Sequence, residues 1–148
     1  MATNPLIAQG TLLRIRASVN WTSFPNLNIT AAYLTKEGIR LSLDGESTTY
    51  LPTMTGAVTS PEPYQMITLT ASINKANGLA DLYRQQMQNN CLIGDGTVYT
   101  DTDKLGTFPI LNCAIESIRE MGFNGEEAMF TVSFRGYWIV NNAMWDLI

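Results

Sequence analysis

Residues 65–73 read QMITLTASI, and their pattern sets the class of fold. Ile67, Leu69, Ala71 and Ile73 recur at every second position, with Thr68, Thr70, Ser72 and Asn74 between and after them. A period of two puts the first set on one side of an extended chain and the second on the other, so this is a strand with one buried face and one neutral, hydroxyl-rich face. The same period appears on either side of it. Leu13, Ile15, Ala17, Val19 and Trp21 alternate with Arg14, Arg16, Ser18 and Asn20, and Ile39, Leu41 and Leu43 with Arg40, Ser42 and Asp44. Downstream, Leu111, Cys113 and Ile115 alternate with Asn112, Ala114 and Glu116, and Phe130, Val132 and Phe134 with Thr131, Ser133 and Arg135. Residues 29–34 and 97–100 also read as extended.

Turn signals separate these runs. Residues 36–38 and 94–96 read as turns, and Asp44-Gly45 predicts a hairpin into a strand over 47–51. Asn124-Gly125 predicts that the strands before and after it are adjacent and antiparallel. Only one stretch has helical spacing. Leu79, Leu82, Tyr83 and Met87 form a stripe flanked by Asp81, Arg84 and three glutamines, which predicts a helix from about Asn77 to Asn90, capped by Asn77 and packed on the sheet. The expected architecture is therefore mainly β with one α-helix: seven or eight strands forming a small antiparallel β-barrel or sandwich, in a single domain over 1–148.

Residues 51–64, LPTMTGAVTSPEPY, do not fit that frame. Pro52, Pro61 and Pro63 exclude a helix and a central strand, while Thr53, Met54, Thr55 and Val58 favour an extended arm leaving the core. Low charge and apolar side chains set the segment apart from a disordered loop, since a solvated loop has no reason to carry Met54 and Val58. A contact with a partner is the preferred reading, and a loop folded back on its own domain the alternative. The tail over 141–148 carries Met144, Trp145 and Ile148 and is expected to dock.

Composition narrows function mostly by exclusion. The 148 residues include no histidine, which removes Ser-His-Asp and Cys-His catalysis, zinc motifs built on His, and an imidazole base. Charged residues are 15% of the chain against about 25% in an ordinary domain. The polar surface must then be neutral or partly covered, a pattern that suits subunit interfaces. A net charge of −4 and the lack of a long basic run argue against tight nucleic-acid binding. No apolar run approaches the roughly 20 residues of a membrane helix, and residues 1–10 lack the order of a signal peptide, so a soluble, cytosolic product with no membrane anchor is expected. Cys91 and Cys113 read as buried free thiols, with a bond within or between subunits as the alternative. Asp101 and Asp103 lack the other ligands of a calcium loop, Gly94-Asp95-Gly96 lacks the rest of a phosphate loop, and Glu126 and Glu127 belong to a hairpin tip. No catalytic, cofactor or metal site is expected.

The order of these segments is similar to the tail tube proteins of contractile-tailed bacteriophages. RIRASVNW, YLTKEGIRLSLDGESTTYLPTMTGAVTSPEPY, QMITLTASI, one helix, CLIGDGTV, NCAIESIRE and FTVSFRGYWIVNNAMW carry the resemblance over nearly the whole chain, most specifically in residues 36–44 and the proline-rich arm. Related folds form pyocin and type VI secretion tubes. The resemblance implies a virion structural protein, made in the host cytoplasm and assembled into the tail. Six copies would form a ring, and rings would stack into a hollow tube, with the segment over 45–64 reaching from one ring to the next. The implied partners are other copies of the chain, the sheath protein, the tape-measure protein, baseplate or terminator proteins at the tube ends, and DNA that passes without tight binding. Leu51, Pro52, Thr53, Met54, Thr55, Val58, Thr59, Pro61, Tyr64, Trp145 and Ile148 are the candidate contacts between subunits or rings. Arg14 and Arg16 are candidates to face the channel. Two rivals are a tube initiator or tail terminator of the same fold, and a monomeric β-barrel holding a small ligand among Trp21, Tyr137 and Trp138.

Overall fold

The computed structural model describes residues 15–76, 78–102, 105–118, 126 and 129–145. Along them run β1 (Ala17–Trp21), short 3-10 turns at Pro25–Leu27 and Ala31–Tyr33, β2 (Leu34–Asp44), β3 (Thr48–Pro52), β4 (Ala57–Pro61), β5 (Tyr64–Asn74), α1 (Leu79–Asn89), β6 (Leu92–Thr100), β7 (Phe108–Ser117), β8 (Met129–Ile139) and the short α2 (Asn142–Trp145). Six strands form one antiparallel sheet in the order β1-β6-β7-β8-β5-β2, and β3 pairs only with β4. The large sheet curls into a half-barrel, as expected of a mainly-β chain with one substantial helix.

The alternation read from residues 65–73 defines the concave face. Ile67, Leu69, Ala71 and Ile73 of β5 are buried with Val132 and Phe134 of β8, Ile110, Cys113 and Ile115 of β7, and Val19 and Trp21 of β1. Removing each large apolar side chain from water stabilises the fold by about 1.5–3 kcal/mol, so this shared interior is the main source of stability. Helix α1 closes one part of the bowl with Leu79 and Tyr83, which are buried, while Leu82 stays 37% exposed at the edge of the stripe. Its N-cap position is Gly78, with no side-chain cap, one residue beyond the expected Asn77, which lies outside the described residues. Asp81 in the first turn faces the positive end of the helix and accepts from Arg84 at 2.7 Å. The Arg84 guanidinium holds the Asp81 carboxyl below its ordinary range.

Three local expectations are corrected, each for the same reason. Residues 36–38 are not a turn between strands; Gly38, at φ +66°, lies inside β2 where the register against β5 slips between Leu34 and Ile39. Gly94, at φ +97°, and Gly96 likewise sit inside β6 at irregularities of its pairing with β7. At Asp44-Gly45 there is no hairpin, because β2 pairs with β5 and not with β3. Gly45, at φ +85°, instead turns the chain out of the sheet. A left-handed glycine serves a bulge or a turn equally well, and the partner strand decides which. Residues 29–34 are also shorter in strand than expected: Ile29 makes only a bridge to Val19, and Ala31–Tyr33 is a 3-10 turn. Packing requires one further glycine. A Cβ at Gly96 would lie 2.5 Å from Trp21 Cε3, so the Trp21 ring rests directly on the backbone of β6. The strands on either side of Asn124-Gly125, β7 and β8, pair antiparallel as expected.

Candidate assembly surface

The arm expected over 45–64 is a two-stranded ribbon standing off the half-barrel. Its pairs are Thr48 with Pro61, Thr49 with Ser60, Tyr50 with Thr59, Leu51 with Val58 and Pro52 with Ala57. Thr53 N–H donates to the Gly56 carbonyl at 2.8 Å and closes the tip. The sequence favours this shape locally. Pro52 and Pro61 fall at the ends of strands that have no second neighbour, the positions in a sheet where a missing N–H does least harm.

Every residue from 51 to 59 is exposed, so the ribbon does not fold back over its own domain. Its apolar groups face water: Tyr50 is 66% exposed, Leu51 56%, Val58 53% and Met54, at the tip, fully. Leu51 and Val58 are paired across the ribbon and so share a face, with Thr49 and Ser60 next along the same face and Tyr50 and Thr59 on the other. A lone two-stranded ribbon is at best marginally stable in water, and one with apolar groups uncovered gains most from a partner.

The root of the arm is built by residues the sequence did not single out. Asn141, in the left-handed region at φ 56°, donates its side-chain N–H groups to the Ser47 carbonyl at 3.0 Å and the Glu62 carbonyl at 2.8 Å, one on each leg of the arm. Val140 N–H donates to the Pro63 carbonyl at 3.3 Å, and Gln65 Nε2 to the Gly45 carbonyl at 2.9 Å. The Thr49 hydroxyl donates to Glu62 Oε1 at 3.1 Å. These bonds tie both legs to the end of β8, so the direction of the ribbon is set by the barrel. The only local signal for this was Asn-Asn at 141–142, since Asn tolerates a positive φ better than most residues.

Of the eleven candidate contact residues, the structure brings eight together on the ribbon or its tip: Leu51, Pro52, Thr53, Met54, Thr55, Val58, Thr59 and Pro61. Tyr64 begins β5 beside the root, 53% exposed, with its ring 5.7 Å from Tyr137 in an edge-on contact. Trp145 ends α2, which follows Asn141 in the chain, and Ile148 lies outside the described residues. Met144 on α2 is 71% exposed.

Two other surfaces bear on function. The convex face of β2, β5 and β8 carries Ser42, Thr68, Thr70 and Thr131, with Asp44 between the guanidinium of Arg135 at 3.6 Å and the Thr68 hydroxyl, which donates to it at 2.5 Å. It is a polar, hydroxyl-rich wall with few charges. The second surface is the mouth of the half-barrel between its two edge strands. An apolar cleft of about 510 Å³ lies there, walled by Leu34, Ile39, Leu41 and Leu43 on one side and Val98 and Phe108 on the other. Trp21, Tyr137 and Trp138 do not line this cleft, and Trp21 is buried in the core instead, so the aromatic pocket of the rival small-ligand reading is not this cleft.

The remaining candidates have structural roles. Asp101 accepts from the Arg16 backbone N–H at 3.0 Å and from its guanidinium at 3.1 Å, and these bonds hold its carboxyl below the usual range. Arg14, Asp103 and Glu127 lie outside the described residues. Cys91 is half-buried and Cys113 buried, both as free thiols. Among the described residues no group of three His, Cys, Asp or Glu side chains is placed to hold a metal, and no helix is long and apolar enough to cross a membrane. No known protein family matches the chain, and no characterised protein does either.

Proposed function

We propose that this chain is a structural subunit of the phage tail-tube kind, with six copies closing into a ring and rings stacking into a hollow tube that conducts DNA. The observation that carries this reading is the ribbon formed by β3 and β4, which exposes Tyr50, Leu51, Met54 and Val58 while its root is tied rigidly to the barrel. Side chains of that kind lower the free energy only when another surface covers them. The sheet is incomplete in the same sense: among the described residues β2 is paired on one side only, with β5, and a neighbour's strand can continue it. The tube is a passive conduit in this picture, needing no catalysis. A convex wall of hydroxyls, with Asp44 paired to Arg135, would let a polyanion slide without holding it. Sheath, tape-measure and end-capping proteins are the further partners this reading entails, and copy number per virion separates a tube subunit from an initiator or terminator.

Electron microscopy of the purified protein tests the proposal directly. Rings or tubes are expected, and deletion of residues 53–60 is expected to stop stacking while circular dichroism shows an intact fold. That deletion removes the tip and most of β4 but spares Ser47, Glu62 and Asn141 at the root. Normal polymerisation of the deletion variant refutes the role of the arm. The cleft favours one competing reading, a monomeric carrier of a small apolar ligand. A chain that sediments as a monomer at high concentration supports that reading instead.

A further inference from the structure

Among the described residues, two apolar surfaces are left open. On the concave face, burial is complete in the middle of the sheet and fails at its edge. Leu69 of β5 is 1% exposed, Leu41 of β2 beside it is only half-buried, and Leu43 is 46% exposed. The cleft of about 510 Å³ begins there, and Leu105, 49% exposed, forms part of its far lip. The second open surface is the arm, with Leu51 and Val58 on one face and Met54 at the tip.

The arm does not reach the cleft of its own chain. Asn141 and Val140 tie both its legs to the end of β8, and residues 51–59 are all exposed. The two surfaces nevertheless match in chemistry, both being apolar. Over 45–64 the charged residues are Glu46 and Glu62, with no cation, whereas the charged residues lining the cleft are Arg16, Lys36 and Glu37. The arm is thus net negative, while at the cleft Arg16 is neutralised by Asp101 at 3.1 Å and Lys36 is balanced by Glu37, so no net like charge opposes the arm there. Backbone geometry adds a second match, because among the described residues β2 pairs on one side only and so do β3 and β4.

We propose that the cleft between β2 and the β1–β6 side of the half-barrel is the receptor for the arm of a second copy, taking Leu51, Met54 and Val58 of that copy against Leu41, Leu43 and Phe108. The inference rests on the reading of the chain as a self-assembling subunit and names the docking site within it. Burying apolar side chains on both partners supplies the driving force, and a ribbon strand laid along β2 supplies direction and register. The cleft then has a structural occupant, not a diffusible ligand.

The test uses full-length protein in a Cys91→Ser background, with Cys113 buried and so out of reach. One preparation carries Met54→Cys, another Leu43→Cys, and the two are mixed under mild oxidation. A disulfide-linked dimer of the two variants is expected in the mixture and not from the Leu43→Cys preparation alone. In parallel, Leu43→Glu opposes the negative arm at a half-exposed site. It is expected to keep the wild-type melting curve and to lower sedimentable polymer at least tenfold. If wild-type protein forms tubes while the mixture gives no cross-link and Leu43→Glu polymerises normally, the docking site is wrong and the tube reading stands. Wild-type protein that never self-associates overturns both. A monomer that binds an apolar dye in the cleft and yields no cross-link identifies a small-ligand site and overturns the inference. Should Leu43→Glu fail to fold, the cross-link alone decides.

Discussion

Replacing Tyr83 with Phe removes one oxygen from the interior, and the structure allows the cost to be worked out. The Tyr83 hydroxyl accepts from Trp21 Nε1 at 3.0 Å and donates to the Leu27 carbonyl at 2.5 Å. Tyr83, Trp21 and Leu27 are 0%, 2% and 1% exposed, so neither partner can turn to water when the hydroxyl is lost. An unsatisfied buried donor or acceptor costs about 1–3 kcal/mol, and two are created, while the phenol's own desolvation is no longer required. The net expectation is about 2–4 kcal/mol of lost stability, with the ring still edge-on to Phe134 at 5.4 Å. Urea unfolding followed by circular dichroism and Trp fluorescence should show a lower midpoint at an unchanged slope, because the surface exposed on unfolding is the same. A Trp21→Phe, Tyr83→Phe cycle should return a coupling on the order of 1 kcal/mol. A loss under roughly 0.5 kcal/mol for Tyr83→Phe would refute the claim that this hydroxyl joins α1 to β1 and the turn at Leu27. Assembly should survive the change below its melting point, since none of the three residues touches the arm or the cleft.

Gly136→Ala should destabilise by about 1–3 kcal/mol, because the new Cβ would lie 2.6 Å from Cys113 Sγ and 2.9 Å from the Leu111 carbonyl oxygen. Adding Cys113→Ala should relieve only the first clash, whereas Gly56→Ala at the arm tip meets nothing within 4 Å and should leave the melting temperature in place. A Gly136→Ala protein as stable as wild type contradicts the close approach of β7 and β8. Burial, with a smaller contribution from the Asp95 carboxylate, pushes the Cys113 thiol from 9.0 up to about 12. Between those values the unfolded chain gives up the proton and the folded chain keeps it, so stability falls as pH rises, by at most about 1.4 kcal/mol per unit from this group. Burial pushes the Tyr83 phenol upward too, which steepens the loss at the alkaline end. Urea midpoints from pH 8 to 10.5 should decline more steeply in wild type than in Cys113→Ala, and equal slopes would count against the assignment.

Periodicity carried most of the fold. The alternation over 65–73 and 130–134 is a strand with its apolar set inward, that over 13–21 is a strand from Ala17 onward, and that over 111–115 slips by one residue so that Ile110 and not Leu111 joins the core; the helix ends lie within two residues of those expected, and the proline-rich segment is an arm. These features are legible because they depend on a residue and its near neighbours: alternation decides a face, and proline bars a central strand whatever surrounds it. The left-handed positions at Gly38, Gly45 and Gly94 were legible only in part. Composition marked each as a place where the backbone departs from regular form, but a bulge and a hairpin turn ask for the same φ.

Apart from the pairing of β7 with β8, strand pairing, direction and concavity came from the tertiary structure. That β2 joins β5 across the whole arm, leaving β3 and β4 to pair with each other, follows from long-range contacts that no local window contains. Asn141 grips two carbonyls that lie 94 and 79 residues away in sequence, so its part in holding the arm could not be seen until the chain had folded. The cleft arises in the same way: Leu41 and Leu43 look like ordinary core positions in the sequence, and they are left uncovered only because the sheet curls without closing over them. A residue's preference for a face is local chemistry, but whether anything fills the space before that face is a property of the whole chain.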